Sequence, residues 1–234
     1  MSNILAIIQA RMTSQRLPGK VLMTILEKPM LLHQVERVRR SQLIDEIVVA
    51  TSRESSDDLV FQACSDHEVS IYRGSLDDVL DRFYQLALTK NPKHVVRITA
   101  DCPLIDSKII DQVVDLHIRG NYDYTSNVYP HSFPDGLDVE IMRFETLKTV
   151  WKEASSKEDR EHVTSFIVAH PHQFQIGRLE NSQNLSTLRW TVDNLDDFKF
   201  VERVYSKLYP KNKNFNMQDI LKAIETDPQL NRGK

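Results

Sequence analysis

Two periods of apolar spacing divide the first half of the chain into short strands and helices. Residues 4–9 (ILAIIQ) are a continuous apolar run that predicts a buried strand. Residues 10–20 are polar and end in Pro18-Gly19, which predicts a loop closed by a turn. Pro29 is placed to start a helix, and Leu31, Leu32, Val35 and Val38 follow at helical spacing. Strands are then predicted at 46–51, 70–73 and 94–99. Helices are predicted at 57–66, from Ser75-Leu76-Asp77-Asp78 to about Leu88, and from Asp106 to about Arg119. Helices between short β-branched strands are βαβ units, so the expected fold is α/β with a mainly parallel central sheet flanked by helices.

The second half is less regular. Strands are expected at 122–127, 137–141, 174–178 and 188–192, and helices at 144–154, 159–169, 195–208 and 217–226. No linker, internal repeat or low-complexity stretch interrupts the chain. One domain is therefore expected over 1–234, with residues about 121–185 as its less regular portion.

Composition removes several chemistries. The 30 basic and 33 acidic residues give a net charge of −3, which argues against a protein that coats nucleic acid. The glycines at 19, 74, 120, 136, 177 and 233 are too far apart for either glycine-rich phosphate loop. G-x-S-x-G and H-E-x-x-H are both missing. Cys64 and Cys102 form no C-x-x-C pair, fit a reducing compartment and are expected to be non-catalytic. No apolar run reaches the roughly 18 residues of a membrane span, and the first residues lack the features of a signal peptide. A cytoplasmic protein without a membrane partner is expected.

Open α/β sheets gather ligands at the carboxyl ends of their strands. That rule marks the loops at 10–20, at 51–54 (beginning with Thr51) and at 100–106. The first holds Arg11, Ser14, Arg16 and Lys20, cations and a hydroxyl suited to a triphosphate where glycines are lacking; a solvated basic turn is the plainer alternative. Asp101 follows the strand 94–99, well placed for a divalent ion or simply a turn residue before Pro103, and Asp106 reads as a helix N-cap. Asp193 ends the run Trp190-Thr191-Val192, as a second metal ligand or part of a helix start. Ser75 and Asp78 match a capping box, with Arg82 one turn further on. Asp138 and Glu140 would share one face of a strand, and Arg160, Glu161 and His162 read as a helix face.

Taken in order, IIQARMTSQRLPGKVL, EIVVATS, YRGSLDDVLDRF, VVRITADCPLID, FPDGLDVE, REHVT and RWTVD resemble the SpsF-like cytidylyltransferases of bacterial surface-polysaccharide biosynthesis. The resemblance spans roughly residues 4–205 and extends more distantly to CMP-sugar synthetases. Ala100 and Thr13 stand where that family often has glycine, and His131 where a basic residue precedes Pro134-Asp135-Gly136.

The resemblance implies a nucleotidyltransferase fold of the glycosyltransferase-A type, Mg²⁺, and transfer of CMP from CTP to an acidic sugar with release of pyrophosphate. It implies that Arg11, Arg16 and Lys20 hold the triphosphate and that Asp101 and Asp193 hold the metal, with Arg11, Lys20 and Asp101 as the catalytic set. Ser14, Thr51, Arg73, Ser75, Asp78 and Arg82 would complete the nucleotide site. Asp135, Asp138, Glu140, Arg160 and His162 would face the acceptor, with Arg160 or Arg189 for its carboxylate. A homodimer through the segment after residue 120 is also implied. A sugar or polyol phosphate as acceptor, a glycosyltransferase, and a non-catalytic nucleotide-binding subunit are the alternatives.

Overall fold

The computed structural model describes residues 3–230. Met1, Ser2 and residues 231–234, part of the expected single domain, lie outside the described residues. In chain order the elements are β1 (Ile4–Gln9), β2 (Thr24–Ile25), β3 (Lys28–Pro29), α1 (Met30–Val38), β4 (Glu46–Ser52), α2 (Asp58–Asp66), β5 (Ile71–Gly74), α3 (Val79–Lys90) and β6 (His94–Thr99). There follow α4 (Ser107–Gly120), β7 (Tyr124–Ser126), β8 (Glu140–Arg143), α5 (Phe144–Glu153), α6 (Lys157–His162), α7 (Ser165–Ala169), β9 (Ile176–Arg178), α8 (Leu195–Leu208) and α9 (Met217–Thr226).

Seven of these strands form one sheet in the order β5-β4-β1-β6-β8-β7-β9. β5, β4, β1 and β6 pair in parallel, β8 runs against both β6 and β7, and β9 is parallel to β7. The expected mainly parallel sheet is borne out. β1 shows why its sequence is apolar without alternation: parallel strands are buried on both faces. Ile4, Ala6 and Ile8 point to a core shared with α1, α4, α8 and α9 through Leu31, Val113, Val201 and Ile220. Leu5 and Ile7 point to the opposite core, made with α3 and α5 through Phe83, Leu86 and Leu147.

The departures from the expected elements have local causes. β8 begins at Glu140 rather than Leu137, because the Asn127 side chain takes the ladder bonds: its amide donates to Leu137 O (2.8 Å) and its oxygen accepts from Val139 N (2.8 Å). Residues 188–192 form no strand. They are held by a single bridge between Asp135 and Arg189, and the Trp190 and Thr191 amides both donate to Asp135 O. The helix expected over 159–169 is two short helices, broken at Val163 with φ +56°, a conformation that strains a β-branched residue. α3 starts at Val79 with Asp78 as its N-cap, while Ser75 Oγ accepts the Asp78 amide one turn earlier. The β2–β3 hairpin turns on Leu26 and Glu27, both at positive φ, without the Asn or Gly that announces such a turn.

Gly136 is one position where the fold requires glycine. Its φ is +105°, and a Cβ there would lie 2.5 Å from Thr191 N and 2.7 Å from the Trp190 carbonyl carbon. Gly136→Ala is expected to cost about 2–4 kcal/mol. The measurement is thermal unfolding, with a fall in Tm of roughly 5–15 °C; an unchanged Tm would mean that the 135–137 turn does not pack on Trp190.

Candidate active site

The loop after β1 is shaped from below by Asp57. This carboxylate is fully buried (0% exposed) and accepts the Met12 amide at 2.7 Å with one oxygen and the Ser52 amide and hydroxyl with the other. Gly19, at φ +73°, returns its amide to Met12 O at 2.9 Å. The loop therefore turns back on itself and delivers Lys20 to the ends of β1 and β6.

Lys20 is 8% exposed. Its Nζ donates to Val192 O at 2.7 Å, to Asp101 Oδ2 at 3.2 Å and to Asp193 Oδ1 at 3.2 Å. The two acids come from distant segments that are tied by the Val192 amide donating to Asp101 O at 2.8 Å, with the Thr191 hydroxyl on the same oxygen. Asp193 also meets Arg16 (2.9 Å) and Arg189. Burial would raise its carboxyl, but Lys20, Arg189 and Arg16 together hold it below the usual carboxylate range. The Asp193 amide is fixed by Asp197, which forms a capping box with Asn194 at the start of α8.

Arg11, Ser14, Arg16, Lys20, Asp101 and Asp193 line one cleft of 560 Å³, together with Glu161 and His162. Arg82 opens on a 120 Å³ recess beside it, shared with Arg11 and His162. Arg82 is buried, donates to Ser75 O at 2.8 Å, and is lowered to about 10 by burial and by Arg11. The other residues expected at the nucleotide lie outside these linings. Thr51 is fully buried. Arg73 donates to the Ser52 and Glu54 carbonyls and pairs with Asp58. Ser75 and Asp78 serve the start of α3.

A second cleft of 510 Å³ adjoins the first through Thr99 and His162, which line both. Asp138, Glu140 and His162 of the expected acceptor set line it. Arg160 does not: it grips Asp78 through three hydrogen bonds and donates to Trp151 O, fastening α6 to the cap of α3. Asp135 and Arg189 pair with each other at 3.0 Å beside Asp193.

Sequence reasoning gave no role in the site to Arg97 and Gln9, and read Glu161 only as part of a helix face. Arg97 lies on the floor of the second cleft, ion-paired to Glu140 and bonded to Gln9 Oε1 at 3.2 Å; Glu140 also accepts the Tyr124 hydroxyl. The signal was available: a charge in the middle of an otherwise apolar strand needs a buried partner. Asp138 has no such partner; among the described residues its carboxyl makes no hydrogen bond or ion pair. Burial, then Asp135, Glu140 and Asp101, push it up to about 7 against the pull of Arg97. Both cysteine thiols are raised by burial, Cys64 to about 12, so neither is poised as a thiolate.

Among the described residues no helix is long and apolar enough to cross a membrane, and no three His, Cys, Asp or Glu side chains gather as a metal cluster.

Comparison with known proteins identifies the family and the fold. Residues 5–224 match the family described as Cytidylyltransferase. A solved cytidylyltransferase from Leptospira borgpetersenii superposes with a TM-score of 0.94 at 30% identity, covering 100% of this chain and 98% of that one. The spore coat polysaccharide biosynthesis protein SpsF of Bacillus subtilis is 33% identical over 214 residues, 88% of each chain. The 3-deoxy-manno-octulosonate cytidylyltransferase of Geobacter sulfurreducens is 38% identical over 114 residues, 48% of this chain and 44% of that one. The SpsF-like resemblance and the nucleotidyltransferase fold are both borne out. On that match over most of its length, the chain belongs to the cytidylyltransferase family.

Proposed function

We propose that this protein transfers CMP from CTP to an acidic sugar, releasing pyrophosphate, for surface polysaccharide biosynthesis. The observation that carries this reading is the first cleft, where Arg11, Arg16 and Lys20 face Asp101 and Asp193 beside a second cleft large enough for a sugar. Three cations suit the three phosphates of the donor, and charge neutralisation on the departing pyrophosphate lowers the barrier. The buried Arg82 recess, next to Arg11, is assigned to the nucleoside. The acceptor is assigned to the second cleft, its attacking oxygen directed at the α-phosphorus from the side of Thr99 and His162. Positioning of the two substrates accounts for most of the catalysis. The His162 imidazole lines both clefts and is assigned the place expected of Arg160 and Arg189 at an acceptor carboxylate, as a hydrogen-bond donor, since those arginines are engaged by Asp78, Asp135 and Asp193.

The residues fit Mg²⁺. Asp101 and Asp193 present hard oxygens to one point, marked by Lys20 Nζ, and Mg²⁺ takes one or two carboxylates and completes its shell with substrate oxygens and water. When bound, the ion would polarise the α-phosphate and ease deprotonation of an attacking hydroxyl. Asp138, an unpaired carboxyl on the wall of the second cleft, is assigned as the group that accepts the hydroxyl proton. Its substrate CTP puts the enzyme in the cytoplasm, and the irregular segment of residues about 121–185 is assigned to a homodimer contact.

The test is pyrophosphate release by the purified protein with Mg²⁺, with 3-deoxy-manno-octulosonate, N-acetylneuraminate or a panel of sugar phosphates as acceptor, and each of the four nucleoside triphosphates in turn. Release is expected with CTP at least about tenfold faster than with the others, a preference of about 1.4 kcal/mol. Equal rates with CTP, UTP and ATP would remove the cytidylyl assignment, and release only with sugar phosphates would move the acceptor class.

A further inference from the structure

Lys20 is fully committed in the nucleotide-free protein. An ammonium has three hydrogens to donate, and here there are three acceptors: Val192 O, Asp101 Oδ2 and Asp193 Oδ1. Nothing remains for a phosphate unless one of these bonds is given up. The place it fills is the point on which the two carboxylates converge, which is also the place the reading above gives to a divalent ion. Two cations cannot share it, because like charges this close in a partly buried site repel strongly.

The two acids are not equally supported. Asp193 has Arg16 and Arg189 besides Lys20. Asp101 forms no other ion pair among the described residues. Lys20 is thus the neutralising charge of Asp101. Its backbone is pinned by the Gly19 turn and by the Met23 amide on Lys20 O, so the side chain rather than the loop has to move. A triphosphate in the same cleft offers Nζ several anionic oxygens in exchange for the carboxylates.

We propose that Lys20 is a tethered counter-ion that closes the Asp101–Asp193 pair to divalent cations until a nucleotide triphosphate draws its ammonium away, so that nucleotide and ion are taken up together. The proposal rests on the assignment of those carboxylates to an ion. It concerns the order of uptake, which is measured without turnover.

The experiment is a titration of nucleotide-free protein with Mn²⁺, following free Mn²⁺ by electron paramagnetic resonance. Lys20→Met keeps the length and removes the charge. It is expected to bind one Mn²⁺ at least about tenfold more tightly than wild type. Lys20→Gln is measured alongside in case the methionine variant does not fold, with the same expected gain. Adding Asp101→Asn to either variant should abolish the gain, because the ion would lose the carboxylate that Lys20 had neutralised. Wild-type protein that binds Mn²⁺ as tightly as the Lys20 variants, or variants that show no gain, would overturn the proposal. So would a gain that survives Asp101→Asn, since the ion would then sit elsewhere. Transfer activity is read separately: pyrophosphate release from CTP by wild type, with no gain in the variants, removes the counter-ion role and leaves the function standing.

Discussion

Asn in place of Asp101 is expected to leave the fold intact and to slow pyrophosphate release from CTP by roughly 10²–10³, the usual effect of removing one electrostatic contact made to the reacting group. The side chain lies at the cleft surface, and its neighbours there are Lys20 Nζ and the Cys102 thiol. The buried part of the residue is its carbonyl, held by the Val192 amide and the Thr191 hydroxyl, and Asn keeps that carbonyl. What is lost is one negative charge opposite Lys20 and, in the proposed reaction, one hard ligand to Mg²⁺. The far-ultraviolet spectrum and Tm should stay close to wild type while the rate falls at every Mg²⁺ concentration. A variant that turns over normally at limiting Mg²⁺ would show that the ion is held without Asp101.

Much of this arrangement was legible in the sequence because parallel α/β folds put chemistry where apolar runs stop. Each of the runs 4–9 and 94–99 is a strand over those same residues, and the charged residues that follow them, Lys20 and Asp101, meet. Asp193 was harder to place. Residues 188–192 have a strand-like composition, yet their backbone bonds go to the turn around Asp135. The acid nevertheless reaches the same point, since the Val192 amide before it donates to Asp101 O just beyond β6.

Contacts between distant segments were not legible. Asp106 caps α4 through the Lys108 amide, as its spacing foretold, but its other oxygen accepts the buried Met217 amide 111 residues away. Asn would satisfy the cap and leave that second amide facing another donor, so a change that is mild at most caps is not mild here. Arg160 has the composition of a solvated helix face and is instead spent on Asp78, 82 residues earlier. Asp57, which shapes the basic loop, looked like the start of a helix. In each case the local pattern was correct and the tertiary partner was what sequence spacing could not supply.

Asp138→Asn is expected to raise stability and sharply slow turnover at the same time, and pH separates the two effects. In the folded protein the Asp138 carboxyl is pushed from 3.8 to about 7 by burial and by Asp135, Glu140 and Asp101. The fold therefore holds a proton that the unfolded chain has released at any pH between those values. Stability from this group is fully present below 3.8 and is lost as pH rises through about 7. That span, at about 1.4 kcal/mol per pH unit, bounds the loss at about 4 kcal/mol. Asn carries no charge at any pH, so the variant should melt above wild type at pH 8 and close to it at pH 4. Catalysis runs the other way. A proton acceptor works only when ionised, so wild-type turnover should climb through about pH 7. The variant should be slower by roughly 10²–10⁴ and flat across that range. Thermal melts at pH 4 and 8, with pyrophosphate release from pH 5.5 to 8.5, make the comparison. A variant that keeps the wild-type rate and its acid limb would take the proton-accepting role away from Asp138. Lower stability at pH 8 would show that its carboxylate is satisfied in the fold.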